Sequence, residues 1–319
     1  MNRRSLLALT ALVSLNAGAA IAQEFPSRSL TIVVGSSAGS ATDGLARAVA
    51  LEVTKATGQA VIVDNRPGAF GGIAAQFASR AQPDGHTVFM TTNTTQAANP
   101  HLQKKLSYDP IKDFAPVALL AKGYQLLVVN PQVKANSVAE LIALAKASPG
   151  KLNYGSGSSS AQVATELFQQ MTGTKFNYVP YKANPPAVID LVAGQTDLMI
   201  ADLATTLPQV KAGKLRALGL TSPKRLTLVP GTPTIAESLK GYEFGYWNAL
   251  YAPAGTPPSV VSRLNALMQA AMKAPAVRDA AERAGMEVSL SSPDELAKFQ
   301  LSELERWGQI IQTAGIVAE

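Results

Sequence analysis

Leu30-Thr31-Ile32-Val33-Val34 runs into Gly35-Ser36-Ser37-Ala38-Gly39-Ser40-Ala41-Thr42, and then into a segment carrying Leu45, Val49 and Val53. The first five residues read as a buried strand, the small polar run as a loop, and the spaced apolar residues as one face of a helix. Thr57-Gly58 stops that helix as a glycine C-cap does. A second strand, Ala60 to Val63, follows. Asn65-Arg66-Pro67-Gly68 then leads into an alanine-rich helix ending near Pro83-Asp84-Gly85, and Thr87 to Thr91 is a third strand. The same order recurs about 115 to 120 residues later, which marks an internal repeat. Leu152 to Tyr154 is a short strand, Gly155-Ser156-Gly157-Ser158-Ser159-Ser160 the loop, and Val163, Leu167 and Met171 the helix face, again stopped at Thr172-Gly173. Ser159 and Gln162 have capping-box spacing, which puts the helix start just after the loop. Phe176 to Val179, a helix opened by Pro185-Pro186 and closed at Gly194, and Asp197 to Ala201 complete the second half. Two β-α-β-α-β halves in tandem predict two related α/β domains, each a parallel-type sheet flanked by helices.

The C-terminal part breaks the period. Tyr242 to Tyr251 is aromatic and strand-like, Pro257-Pro258 opens a helix to about Lys273 and Pro275 opens another before Gly285. Ser292-Pro293-Asp294-Glu295 is a capping box with proline at the first helical position, opening a last helix through Trp307. These helices are expected to fold back on the first domain. That assigns 23–122 plus 239–319 to a discontinuous domain 1 and 123–238 to domain 2, with crossings near Ala121–Gln125 and Thr232–Gly241. A third, small helical domain is the alternative.

Residues 1–22 read as a secretory signal peptide. Arg3-Arg4 precede an apolar run from Leu6 to Ala20, and Ala20-Ile21-Ala22 is a small-x-small cleavage site. A membrane anchor needs about 20 apolar residues and does not explain that site. Cleavage after Ala22 starts the mature chain at Gln23, and export without cysteine suits a periplasm. Twin-arginine export is the other route that Arg3-Arg4 suggests. Among 319 residues there are 28 Lys plus Arg, 22 Asp plus Glu, two His and no Cys. A disulfide scaffold, a Cys-rich zinc site and a thiol nucleophile are excluded. Loss of Arg3 and Arg4 lowers the net charge of +6 by two, and the remaining cations form no basic stripe interleaved with aromatics. A nucleic-acid partner is therefore not expected.

Ligands of open parallel sheets sit beyond the carboxyl ends of the strands. Both repeats place a Gly/Ser-rich loop there, immediately before a helix. Such loops offer N–H and O–H donors at the positive end of a helix dipole, which favours anions. Small residues let a ligand approach the backbone. Neither loop carries Lys or Arg. The candidate ligand-binding residues are Ser36, Ser37, Ala38, Gly39, Ser40, Thr42 and Asp43 in the first repeat and Gly155, Ser156, Gly157, Ser158 and Ser159 in the second. Thr92, Asn93 and Thr94 add polar groups on the same rim, and Tyr181, with Lys182 beside it, could reach the cleft. Tight βα turns, a solvated rim and a dipole-favoured first-turn Asp43 are the purely structural readings of these residues. Trp247, Tyr246 and Tyr251 read first as core or hinge packing.

Gly35-Ser36-Ser37-Ala38-Gly39 also fits G-x-S-x-G, which raises a serine hydrolase using Ser37. The two histidines, His86 and His101, both precede the second repeat, and an elbow has no use for a second polar loop. No zinc spacing, Walker loop or dinucleotide fingerprint occurs, so no catalytic residue, metal or cofactor is expected.

The chain resembles the Bug or TctC-like periplasmic solute-binding components of tripartite tricarboxylate transporters. The resemblance spans the mature chain and rests on ordered motifs. They include Phe25-Pro26-Ser27-Arg28, Ala38-Gly39…Thr42-Asp43…Ala46-Arg47, Val63-Asp64-Asn65-Arg66-Pro67-Gly68-Ala69 and Pro83-Asp84-Gly85-His86-Thr87. Further on come Tyr108-Asp109-Pro110…Asp113-Phe114, Asn153-Tyr154-Gly155-Ser156-Gly157, Val179-Pro180-Tyr181-Lys182 and Lys214-Leu215-Arg216-Ala217-Leu218. Thr221-Ser222-Pro223-Lys224-Arg225 and Pro233-Thr234-Ile235-Ala236-Glu237 complete the set. The resemblance implies a two-domain periplasmic binding protein-like fold with a ligand cleft between domains and no catalysis. It also implies a carboxylate (di-, tri- or aromatic, or an acidic amino acid) held by first-loop N–H groups, and delivery to integral membrane transporter subunits. The first loop departs from the family pattern of proline, an aromatic and paired glycines, with Gly35, Ser36 and Gly39-Ser40 instead, and Ala183-Asn184 replace a usual glycine. The expectation is a monomeric periplasmic receptor; a sensor presenting its closed form to a membrane signalling protein is the alternative.

Overall fold

Strand β1 (Leu30–Val34) lies between β2 (Val61–Asn65) and β3 (Thr87–Thr92), parallel to both. In the second half β5 (Asn153–Ser156) lies between β6 (Asn177–Pro180) and β7 (Leu198–Asp202), again parallel to both. The two trios share one order, as the repeat predicts. The computed structural model describes residues 25–313 and 315–318; the segment read as a signal peptide lies outside them.

Each middle strand feeds a helix through its polar loop. Helix α1 (Ala41–Thr57) buries Leu45, Val49 and Val53 and closes on Gly58, whose φ of 69° is the left-handed C-cap conformation. Helix α2 (Gly72–Ser79) follows β2, and the short α3 (Asn99–Leu102) ends the polar segment after β3. The segment Thr94–Ala98 is a wide helical turn with every residue buried, so the rim read as loop is packed.

The element that joins the halves is β4 (Phe114–Val129), 16 residues long. From Phe114 to Tyr124 it runs antiparallel to β9 (Gly245–Pro253), which in turn flanks β3. From Gln125 to Val129 it runs antiparallel to β7 and to β8 (Arg216–Leu220). One strand thus serves both sheets, and the antiparallel pair β4 and β9 adds a mixed character to the parallel trios. Helix α4 (Val138–Ala147) precedes β5; helix α5 (Ser159–Thr172) follows β5, α6 (Asn184–Val192) follows β6 and α7 (Leu203–Lys211) follows β7.

Helices α8 (Pro258–Ala271) and α9 (Pro275–Arg283) share one core with α1, through Leu264, Met268, Val277 and Ala281 against Leu45 and Val49. The short β10 (Met286–Val288) pairs with β4 at Ala121–Gly123. The capping box opens α10 (Pro293–Thr313): Ser292 N–H donates to Glu295 Oε2 at 2.8 Å, and Glu295 N–H to Ser292 Oγ at 3.3 Å. Trp307 of α10 is buried in a cluster that includes Phe89 and Phe114 from the first half and Tyr154 and Phe168 from the second. Its Nε1 and that of Trp247 both donate to Glu303.

Candidate functional site

The β1–α1 loop is held in shape by its own hydrogen bonds. Gly39 takes φ of 82°, a left-handed conformation that glycine adopts without cost. Its N–H donates to Asp43 Oδ2 at 2.9 Å. Asp43 also accepts from Arg47 Nε at 3.1 Å and from Asn65 Nδ2 at 3.0 Å, and Asn65 ties the loop through the carbonyl of Ser36. Burial pushes the Asp43 carboxyl up, but the bonds from Arg47, Gly39 and Asn65, with the Arg47 charge, hold it below the usual carboxylate range. Ser40 caps α1, its Oγ accepting from Asp43 N–H at 3.2 Å and lying 2.7 Å from Ser36 Oγ. The N–H groups of Ala41 and Thr42 belong to the first turn, where a helix supplies no carbonyl of its own.

The β5–α5 loop repeats the design. Ser158, one residue before the start expected from the Ser159/Gln162 spacing, caps α5 by accepting from Ala161 N–H at 3.2 Å. Gly157 passes so close to the next loop that a Cβ would lie 1.9 Å from the Ala183 carbonyl carbon. Its N–H donates to Asn184 Oδ1 at 3.1 Å, locking the two loops together.

These two capped helix starts face one cavity of about 90 Å³. Of the residues named from sequence, Ser36, Ser40, Thr42, Thr92, Thr94, Gly157 and Ser158 line it. The others lie off its wall, each engaged elsewhere. Asp43 braces the loop, Ser37 accepts from Ser40 N–H through its carbonyl, and Ala38 and Gly39 sit at the exposed tip. Asn93 Oδ1 accepts from Trp247 N–H at 3.3 Å. Gly155 is paired within the sheet, and Ser156 Oγ donates to the Ser158 carbonyl at 2.8 Å. Ser159 Oγ donates to Asn99 Oδ1 at 3.1 Å, and Tyr181 OH to Asp190 Oδ2 at 2.8 Å. Trp247 and Tyr251 are core, whereas Tyr246 reaches the cavity wall.

The wall also contains residues that the sequence reading passed over, among them Phe70, Gln125, Ser160, Asn184 and Asp202. Asp202 ends β7 as Thr92 ends β3, so the rule that sites lie beyond strand carboxyl ends could have found it. It caps α7, accepting from Thr205 N–H at 3.1 Å, and its Oδ2 accepts from Asn184 Nδ2 at 2.8 Å. Burial raises its pKa, against the lowering effect of the bonds from Asn184 and Thr205. Lys182 is the cation of the wall and is exposed.

The model of the tripartite tricarboxylate transporter family receptor matches residues 45–316. The chain belongs to that family. Protein BugT of Bordetella pertussis is 34% identical over 324 residues, covering 99% of both chains. Among solved structures, a protein of R. palustris with adipate matches with a TM-score of 0.90 at 35% identity, over 93% of this chain and all of that one. MatC from Rhodopseudomonas palustris with bound malate gives a TM-score of 0.85 at 32% identity, over 90% of this chain and all of that one. The chain shares its two-domain binding-protein architecture with these two solved structures.

As a tripartite tricarboxylate receptor the chain is a binding protein and not an enzyme. Neither histidine addresses Ser37: His86 packs its ring on Phe25 with centroids 5.0 Å apart, and His101 Nε2 lies 2.9 Å from the Leu304 carbonyl. Among the described residues no group of three or more His, Asp or Glu could hold a metal ion, and no helix is long and apolar enough to cross a membrane.

Proposed function

We propose that this receptor closes on a small organic carboxylate in the cleft between its two halves and hands it to the membrane subunits of a tripartite tricarboxylate-type transporter. The observation that carries the reading is the pair of serine-capped helix starts, Ser40 with α1 and Ser158 with α5, on one cavity of about 90 Å³. Unpaired first-turn N–H groups and hydroxyls at the positive end of a helix suit a carboxylate oxygen. Gripping from both halves gives closure its driving force, because contacts to the second half exist only in the closed state. The adipate and malate held by two structural relatives support the ligand class.

Within this reading the first domain is 23–122 plus 239–319 and the second 123–238, with one crossing in β4 near Ala121–Gln125. The N-terminal segment serves as a signal peptide cleaved after Ala22, and the mature chain works as a periplasmic monomer. The test is a thermal-shift screen of the mature chain against mono-, di-, tri- and aromatic carboxylates. Binding to the native state alone stabilises by about 2.7 kcal/mol at a ligand concentration 100-fold above Kd. A dose-dependent rise with at least one carboxylate is expected. Hits confined to uncharged compounds would refute the anion grip.

A further inference from the structure

The cavity is not lined by donors alone. Gln125 and Asp202 are directly opposed residues of the antiparallel pair β4 and β7, and both line the cavity. Opposed residues present their side chains on the same face of a sheet. Both are buried, at 1% and 6% exposure. Gln125 Nε2 donates to Ser160 Oγ at 3.0 Å, which leaves Oε1 without a donor. A buried acceptor left in that state is costly unless something supplies the missing hydrogen.

Asp202 has the same bias with a charge added. Its hydrogen bonds come from Asn184 Nδ2 and from the N–H and hydroxyl of Thr205, none of them a cation. Among the described residues it takes part in no ion pair. Each carboxylate oxygen has room for two bonds, so Oδ2, with its bond from Asn184, retains a lone pair. Capping α7 explains an oxygen here but not a charge, since Asn and Ser cap as well as Asp. A buried carboxylate on the wall of a cleft calls for a cation from whatever fills the cleft. A plain dicarboxylate would place negative charge against it.

We propose that the ligand is an amino-carboxylate: its carboxylate meets the capped starts of α1 and α5, and its ammonium group is met by Asp202 and Gln125 Oε1. Asp202 is then the residue that sets specificity. This rests on the receptor reading above and narrows its ligand.

The test is calorimetric titration of the mature chain with matched pairs that differ by one amino group. The pairs are propionate and alanine, succinate and aspartate, glutarate and glutamate, and adipate and 2-aminoadipate. In the best-binding pair the amino member is expected to bind at least tenfold more tightly. Asp202→Asn, which keeps the helix cap, is expected to weaken the amino member at least tenfold and to leave the plain acid unchanged or improved. If the plain acid binds as well as its amino partner in the unaltered protein, the inference is overturned while the receptor reading stands. That comparison needs no variant to fold. Equal loss of both members in Asp202→Asn also overturns it. Binding of no carboxylate of either kind removes the receptor reading, and this inference with it.

Discussion

Asp43 shows how a single residue was half legible. A first-turn acid before a helix invites either a structural or a ligand-binding role, and residue type alone does not choose. The choice comes from three-dimensional partners, Gly39, Arg47 and Asn65, which turn its carboxylate into a brace for the loop. Because its folded pKa is depressed, its contribution is present above the unfolded value near 4 and is lost as pH falls through the folded value. Asp43→Asn is expected to cost about 1–2 kcal/mol at neutral pH. The gap between variant and wild type should close on acidification; denaturant melts at pH 7 and pH 3 check this. Gly157 makes a sharper case. An alanine methyl would strike the backbone of Ala183 and Asn184, which cannot swing aside as a side chain can. Gly157→Ala is expected to destabilise by about 1–3 kcal/mol and to abolish ligand-induced stabilisation. An unchanged melting temperature would show that the loops are not locked as described.

At the scale of elements, the strand–loop–helix units were readable because each carries a period, a polar loop and a glycine stop: Leu45, Val49 and Val53 ending at Gly58, then Val163 and Leu167 ending at Gly173. The long strand β4 was not. Its residues Phe114 to Val129 are buried on both faces over most of their length, so no alternation marks them as one strand. The apposition of Gln125 and Asp202 was hidden for the same reason: they become neighbours only through pairing of β4 with β7. The helix caps make a testable pair. Ser40→Ala and Ser158→Ala each remove one cap, at about 1 kcal/mol of stability. Both are expected to weaken carboxylate binding as well, since both helix starts face the cavity. A stability loss without an affinity loss in either variant would leave that helix out of the grip.

For the whole molecule, the proposed closure would make binding and shape one event. The first half contributes the α1 loop and the β3 rim, the second the α5 loop, and β4 runs through both. Trp307 lies in a buried cluster that joins residues of both halves. The duplication made the cleft foreseeable, since two equivalent loops at strand ends need a common ligand. Its charge pattern was half foreseeable: Lys182 follows Tyr181 towards the cleft, whereas Asp202 joins it from another element of the second half. The receptor reading requires a ligand carboxylate gripped by backbone and hydroxyl donors at the two helix starts. A crystal structure of the mature chain with its tightest-binding carboxylate tests it most directly. Carboxylate oxygens within hydrogen-bond distance of donors from both Ser36–Thr42 and Gly157–Ser160 are expected. A carboxylate met by Lys182 alone, or seated outside this cavity, would contradict it.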